Sequence, residues 1–292
     1  MKKGFLLLII YLFLSAPVMA QVEDRFGFFT ESEISEYARP FGTTLGMAFN
    51  SGSYHSAYVS EFFGFSISFR GMYIFIPDDD LTFTPNLPQG YDAEQQTATI
   101  YGNEGAAYYG PQGFIVYPQG INETSIPAVL PQITGSFMGT EIMLRYLPGI
   151  SLGSGEEELS MFGIGVKHSI SRYIPLLPVD VAVQFLYNNL EITGVMDITA
   201  IAFNVHAGKS FGLFTLYGGL QYEASTFDLE YEFRNPSNLP GLQPGIVKVS
   251  IDGDNNFRGT FGGSVKLAVI ALNIDYSLGA QSVLSGGLTF EF

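Results

Sequence analysis

The chain has no cysteine and no tryptophan among its 292 residues, and only 14 % of them are charged. The missing cysteine excludes a disulfide scaffold, a thiolate metal site and a lipid-modified N-terminal cysteine. The scarcity of charge says more, because soluble domains carry roughly 25 % charged residues. Basic residues are the scarcest, 13 against 28 acidic ones. That balance excludes nucleic acid as a partner, since phosphate contact needs basic clusters. After residue 20 the chain also lacks any apolar run long enough for a spanning helix. Aromatic residues, by contrast, make up 15 % of the chain, and there are 34 glycines. Few charges with many Phe, Tyr and Gly suggest β-structure facing something apolar.

The first residues set the expected compartment. Lys2 and Lys3 precede an apolar run from Gly4 to Leu14. Its length suits the core of a signal peptide and is too short for comfortable membrane spanning. Val18-Met19-Ala20 follows with small residues at the positions that a signal peptidase reads, so cleavage is expected before Gln21. Loss of Lys2 and Lys3 leaves 11 basic residues against 28 acidic ones, a net charge of −17. The acidic runs Asp78-Asp79-Asp80 and Glu156-Glu157-Glu158 read as solvated loops rather than cation sites.

Thr30-Glu31-Ser32-Glu33 has the form of a capping box, and Ile34, Tyr37 and Ala38 follow at helical spacing. Pro40 blocks continuation. The pattern predicts one short helix over Glu31 to Arg39, able to plug a barrel or to dock loosely as a periplasmic arm. From Gly64 the period changes to two. Phe65, Ile67 and Phe69 alternate with Ser66, Ser68 and Arg70. Comparable runs begin near Ile142, Phe162, Val179, Ile201, Phe214, Phe227, Phe257, Leu272 and Leu284. Each has one apolar and one polar face, at a length suited to crossing a bilayer at a tilt. A soluble sandwich alternates as well, but long strands, a Gly- and Ser-rich polar face and a signal peptide favour the membrane.

Loop lengths agree, because such barrels have short periplasmic turns and longer external loops. Lys209 to Phe211, Ala268 to Ile270 and Ser171 to Pro178 read as periplasmic links, and Pro148 to Glu157 and Arg234 to Gly245 as external ones. The expected fold is all-β: a closed antiparallel transmembrane barrel of ten strands, with eight or twelve open. A strand hidden in the irregular stretch Leu81 to Leu130, at Thr97 to Tyr101 or Phe114 to Tyr117, completes the count. The expected division is 1–20 signal peptide, 21–63 N-terminal arm with the helix as plug, and 64–292 barrel.

The tail LSGGLTFEF ends on a bare aromatic residue. Alternate apolar positions closing on Phe resemble the C-terminal signature of bacterial outer-membrane barrels, with Leu288, Phe290 and Phe292 in the matching places. The resemblance implies delivery to the barrel-assembly machinery. More narrowly, the chain resembles a family of uncharacterised Bacteroidota outer-membrane proteins, a domain of unknown function. The resembling stretches are Tyr37 to Ala57, Leu130 to Pro148 and Phe162 to Gln184. That family supplies architecture and an outer-membrane address but no catalytic residues.

Chemistry is thinly signalled. Parity puts His168 and Ser169 on opposite faces, and nothing marks a serine for His206, so no triad is expected. His55 has no cysteine and no second histidine at ligand spacing, so no zinc site is expected. No cofactor motif is present. Asp252-Gly-Asp254-Asn-Asn256 reads as a turn, lacking the glycine and the closing glutamate of a calcium loop. The leading site residues are the charges on polar faces: Arg70, Glu141, Arg145, Lys167, Asp180, Arg258, Lys266, Asp275 and Glu291. In a narrow barrel mixed charges pair and close the lumen; a selective charged passage is the other reading. The functional expectation is a non-enzymatic barrel that binds or passes a small, even hydrophobic, solute. Its alternative is a closed structural or surface-binding barrel, with a barrel hydrolase third. Expected partners are outer-membrane lipid, lipopolysaccharide, the assembly machinery and a small hydrophobic ligand.

Overall fold

A computed structural model describes residues 29–91, 95–111, 113–151, 158–174, 176–233 and 243–292. The expected signal peptide, the first part of the arm, and residues 152–157 and 234–242 of the two external loops lie outside the described residues.

Ten staves close into an antiparallel β-barrel. In chain order they are β1 (Gly64–Phe75), β6 (Ser125–Phe137), β7 (Thr140–Ser151), β8 (Glu158–Ser169), β9 (Asp180–Ile192), β10 (Met196–Phe211), β11 (Phe214–Phe233), β13 (Phe257–Leu267), β14 (Ile270–Leu278) and β15 (Ser282–Glu291). Consecutive staves pair, and the ring is closed by β1 on β15, from Ser66↔Glu291 to Phe75↔Ser282. A further strand, β12 (Gly245–Asp252), continues β13 upward along the same edge of β11. The turn at Gly253 to Asn256 is the kink between them. It bends inward, with Asn255 fully buried and bonded to Ser225.

The two rims differ. At the rim holding the C-terminus the links are 138–139, 170–179, 212–213 and 268–269. The link beside β10 is therefore Gly212-Leu213, and Lys209 to Phe211 belong to the strand. The opposite rim carries the insertion 76–124, which contains two small hairpins, β2 (Thr82–Phe83) with β3 (Thr97–Ala98) and β4 (Ala107–Gly110) with β5 (Gly113–Val116). Neither stretch expected to hold the missing strand is a stave. The tenth stave is β6. Pro127 and Pro131 hide it, and its ladder to β7 stops at Ile133↔Leu144, short of Pro131, which has no N–H to give. Since long loops mark the external side of such barrels, the 76–124 rim is the outer one.

The wall inverts its chemistry as it rises. On β11 the inward side chains are Tyr217, Gln221, Glu223 and Ser225, then Phe227, Leu229, Tyr231 and Phe233. The outward ones are Phe214, Leu216, Leu220 and Tyr222, then Thr226, Asp228, Glu230 and Glu232. The runs at Phe214 and Phe227 are thus one 20-residue strand, not two. The same inversion occurs on β10, where Asn204 and His206 give way to Ile198 and Met196 inside while Phe203 and Val205 give way to Asp197 outside. The apolar outward stretch from Phe214 to Ala224 spans about 33 Å along the strand at roughly 3.3 Å per residue. At a tilt of about 40° that is about 25 Å along the normal, the height of a lipid-facing band. Below the inversion the barrel is a membrane barrel with a polar interior. Above it the barrel has an apolar core and a polar exterior, as a soluble protein does.

Inside lies one helix, α1 (Glu31–Phe49), ten residues longer than the expected Glu31–Arg39. Glu33 reaches back to the Thr30 N–H at 3.1 Å, the capping box. Pro40 sits in the helix interior. An interior proline costs about 3 kcal/mol in an isolated helix, but α1 is not isolated. Ile34, Tyr37, Ala38, Phe41, Leu45 and Ala48 are all buried, and at roughly 1.5–3 kcal/mol per large apolar side chain this burial outweighs the proline.

Candidate functional site

The interior is filled in two tiers. The upper tier is apolar. Ile34, Tyr37 and Phe41 of α1 pack into one cluster with Ile74, Leu147, Met161, Leu190, Ile198, Phe227 and Tyr231 of the wall. The 76–124 insertion covers this cluster with Ile100, Tyr101, Tyr108 and Tyr117. Tyr117 donates its hydroxyl to the Glu33 carboxylate. Burial, then that carboxylate, holds the Tyr117 phenol above its usual range. Gly46 lets α1 approach the wall, because a Cβ there would stand 2.4 Å from Ser225 Oγ.

The lower tier is polar and seats the C-terminal end of α1. A helix C-terminus carries unsatisfied carbonyls and partial negative charge. The last turn of α1 has no basic residue of its own; the wall supplies two. Arg145 donates to Phe49 O and to Ser51 O, the latter at 2.9 Å, and its other side meets Gln132 Oε1 at 3.0 Å. Arg258 donates to Met47 O at 3.1 Å and to Ser51 Oγ. It is also paired with Glu223 at 2.7 Å, both side chains being almost fully buried. Gln221 braces that carboxylate at 2.7 Å. Asn50, the C-cap, donates to Ile201 O at 3.1 Å.

From Asn50 the arm descends through the lumen to the lower rim, where Ser60 and Glu61 accept from Gly139 and Met138. On the way His55 lies between the first and last staves. Arg70 of β1 meets His55 Nδ1 at 2.8 Å, and His55 Nε2 meets Glu291 of β15 at 2.6 Å. Lys266 pairs with the same Glu291. Tyr54 stacks on His206, with ring centroids 4.0 Å apart. Between arm and wall a cavity of about 10 Å³, lined by Ser51, Tyr54, Gln221, Arg258, Thr260 and Asp275, is room for about one water molecule.

The nine sequence-derived charges fall into separate groups. Arg145 and Arg258 clasp α1. Arg70, Glu291 and Lys266 form a chain through His55, with Lys266 half out at the rim. Glu141 and Lys167 pair at 2.9 Å. Asp275 accepts from Tyr217 at 2.8 Å and from Asn273 at 3.1 Å. Asp180 lies partly buried at the first position of β9, and among the described residues no ion pair joins it. Glu223 was missed, although it shares the inward parity of Gln221. His55 and Asn50 were also missed, because nothing in an arm of irregular pattern says which strands it will touch. His168 faces outward, bonded to Thr140 Oγ1 and the Tyr173 hydroxyl, while Ser169 is buried. His206 Nδ1 meets Asn204, so neither histidine has a serine–carboxylate pair beside it. Leu288, Phe290 and Phe292 lie on the outward face of β15, and Phe292 is well exposed.

The chain is similar, at low identity, to several solved structures. The transport unit of the autotransporter AIDA-I from Escherichia coli is 8 % identical, with 88 % of this chain and 98 % of that one covered, at a TM-score of 0.32. The outer membrane channel DcaP of Acinetobacter baumannii is 10 % identical, covering 81 % and 100 %, at 0.21. The Ralstonia pickettii toluene transporter TbuX is 8 % identical, covering 81 % and 90 %, at 0.22. No curated protein matches the chain. The model of a family of unknown function, DUF6588, matches residues 1–292.

Proposed function

The chain belongs to this family of unknown function, and from its own residues we propose that it is an outer-membrane protein working as a closed barrel that presents its cap at the cell surface. The observation that carries this reading is the seat of α1. A helix with its apolar face buried above and its terminal carbonyls clasped by Arg145 and Arg258 below is built as part of the wall. Removing it would expose the apolar cluster and strand two buried guanidinium groups, each costly. In this reading the protein is exported by cleavage before Gln21. Lipid and lipopolysaccharide meet its wall and outer rim, and the barrel-assembly machinery reads Leu288, Phe290 and Phe292. No catalytic role is proposed.

Passage of a small solute, hydrophobic in one version, is the second reading. It is favoured by one feature: α1 is joined to the wall only through residues 50–63, so it can leave without breaking a strand pair. Single-channel recording in a planar bilayer separates the two. The closed-barrel reading expects no steady conductance from the intact protein and a conducting barrel when residues 21–49 are deleted. Steady current through the intact protein would overturn it in favour of passage.

A further inference from the structure

On the outward wall, just below the level where the surface turns polar, a crevice of about 450 Å³ crosses β10, β11, β13 and β14. Its geometry follows from register. Val205 stands opposite Leu220, Leu220 opposite Gly259, and Gly259 opposite Leu278. At one height, then, four adjacent staves present three branched aliphatic side chains and one gap. The gap is open, since a Cβ on Gly259 would find nothing nearer than Leu220 Cδ2 at 3.9 Å. Tyr222 and Phe257 wall it above, their rings in edge contact with centroids 5.3 Å apart. These two residues flank the kink between β12 and β13, where the ladder on β11 changes partner. The interruption that lets Asn255 reach the interior is thus also what notches the exterior.

We propose that this crevice holds one acyl chain of an outer-leaflet lipid. The proposal rests on the membrane reading of the wall. The crevice is continuous with the lipid-facing band, so hydrocarbon is what surrounds it, and its lining is apolar. A flexible chain fits a gap between side chains that a rigid ring system would have to prise apart. Its height places it in the outer half of the bilayer, with Tyr222 and Phe257 at the depth where aromatic rings gather. Thr226, Asp228 and Asp252 lie outward immediately above, and Thr226 donates to Asp252 at 3.3 Å. Exposed carboxylates at that rim accept an amine-bearing headgroup better than a net anionic one.

Delipidated full-length protein in detergent, titrated with palmitoyl-oleoyl phosphatidylethanolamine under native mass spectrometry, tests this. One lipid is expected to bind well ahead of the rest. Gly259→Leu, which fills the gap, is expected to weaken that first site about tenfold or more, the factor supplied by about two buried methylenes. Gly135→Leu, also facing outward into open space but on β6, is expected to leave it unchanged. A first site unaffected by Gly259→Leu, or weakened equally by both variants, overturns the proposal. Failure of the membrane reading itself is read separately, as solubility without detergent and loss of heat-modifiable migration in gels.

Discussion

Glu223 and Arg258 meet at 2.7 Å with side-chain exposures of 0 % and 1 %, and the pair also anchors the end of α1. Two buried charges attract strongly but have lost their water, so what matters is the cost of leaving one alone. Glu223→Gln is expected to destabilise the barrel by about 3–5 kcal/mol, read by urea unfolding in detergent micelles. The double replacement Glu223→Leu with Arg258→Met is expected to be less destabilised than the single one, because no charge is left unpaired. A single variant within about 0.5 kcal/mol of wild type would show the pair to be dispensable. Asp80 is a milder case with the opposite sign. It sits half-buried above the barrel and accepts from Gln281 Nε2 at 2.8 Å. Burial, then the neighbouring Asp254 and Asp79, raise its pKa above the ordinary 3.8. A carboxyl whose folded pKa is raised favours the fold while protonated and loses that contribution as pH rises through the folded value. Asp80→Asn keeps the acceptor and removes the charge. It is expected to raise the unfolding temperature at pH 7, with a gain that fades as pH falls to the ordinary carboxylate range. A variant less stable than wild type at pH 7 would contradict this.

At the scale of elements, what was legible in the sequence depended on how far each element's pattern is local. The staves on either side of β6 announce themselves, because Ile142, Phe162 or Leu272 alternate with polar neighbours whatever else the chain does. β6 does not, since Pro127 and Pro131 look like loop residues until its edge is known to be unpaired there. β11 looks like two strands, because Phe214 to Tyr222 and Phe227 to Phe233 sit on opposite parities. Only the barrel shows that odd positions point inward throughout and that the surroundings change instead. α1 is read correctly at its start, where the capping box is local, and wrongly at its end, where burial by distant strands carries the helix past Pro40. The site follows the same rule. Arg145 and Arg258 have inward parity, but that both address one helix terminus depends on the path of the arm. The closing strand β15 carries a prediction of its own kind. Its outward Phe292 is exposed and packs little, so its place at the terminus is explained better by recognition than by stability. Replacing Phe292 with a charged residue is expected to lower the amount of assembled protein in outer-membrane fractions severalfold while refolding in detergent proceeds. Equal membrane levels of variant and wild type would count against an assembly role.

For the molecule as a whole, the inversion of the wall fixes where the bilayer lies, and the two rims fix which way up the barrel stands. Leu220 belongs to the lipid band, Glu232 to the stretch of β11 above it, and Ser210 to the lower end of β10. Tyr109, exposed on the β4–β5 hairpin, belongs to the outer cap. The chain has no cysteine, so each of these positions can carry the only thiol in the protein. A membrane-impermeant maleimide applied to intact cells is expected to label Tyr109→Cys and Glu232→Cys. Ser210→Cys should react only after the outer membrane is permeabilised. Leu220→Cys should stay unlabelled in both conditions, because a thiol in hydrocarbon is neither ionised nor reached by a charged reagent. The pattern is diagnostic as a set. Labelling at Ser210 and not at Tyr109 would mean that the barrel stands the other way up, with its cap and the N-terminal end of α1 toward the periplasm. Labelling at Leu220 would mean that the outward leucines and phenylalanines are not a lipid wall, and the closed-barrel and acyl-chain readings would fall together.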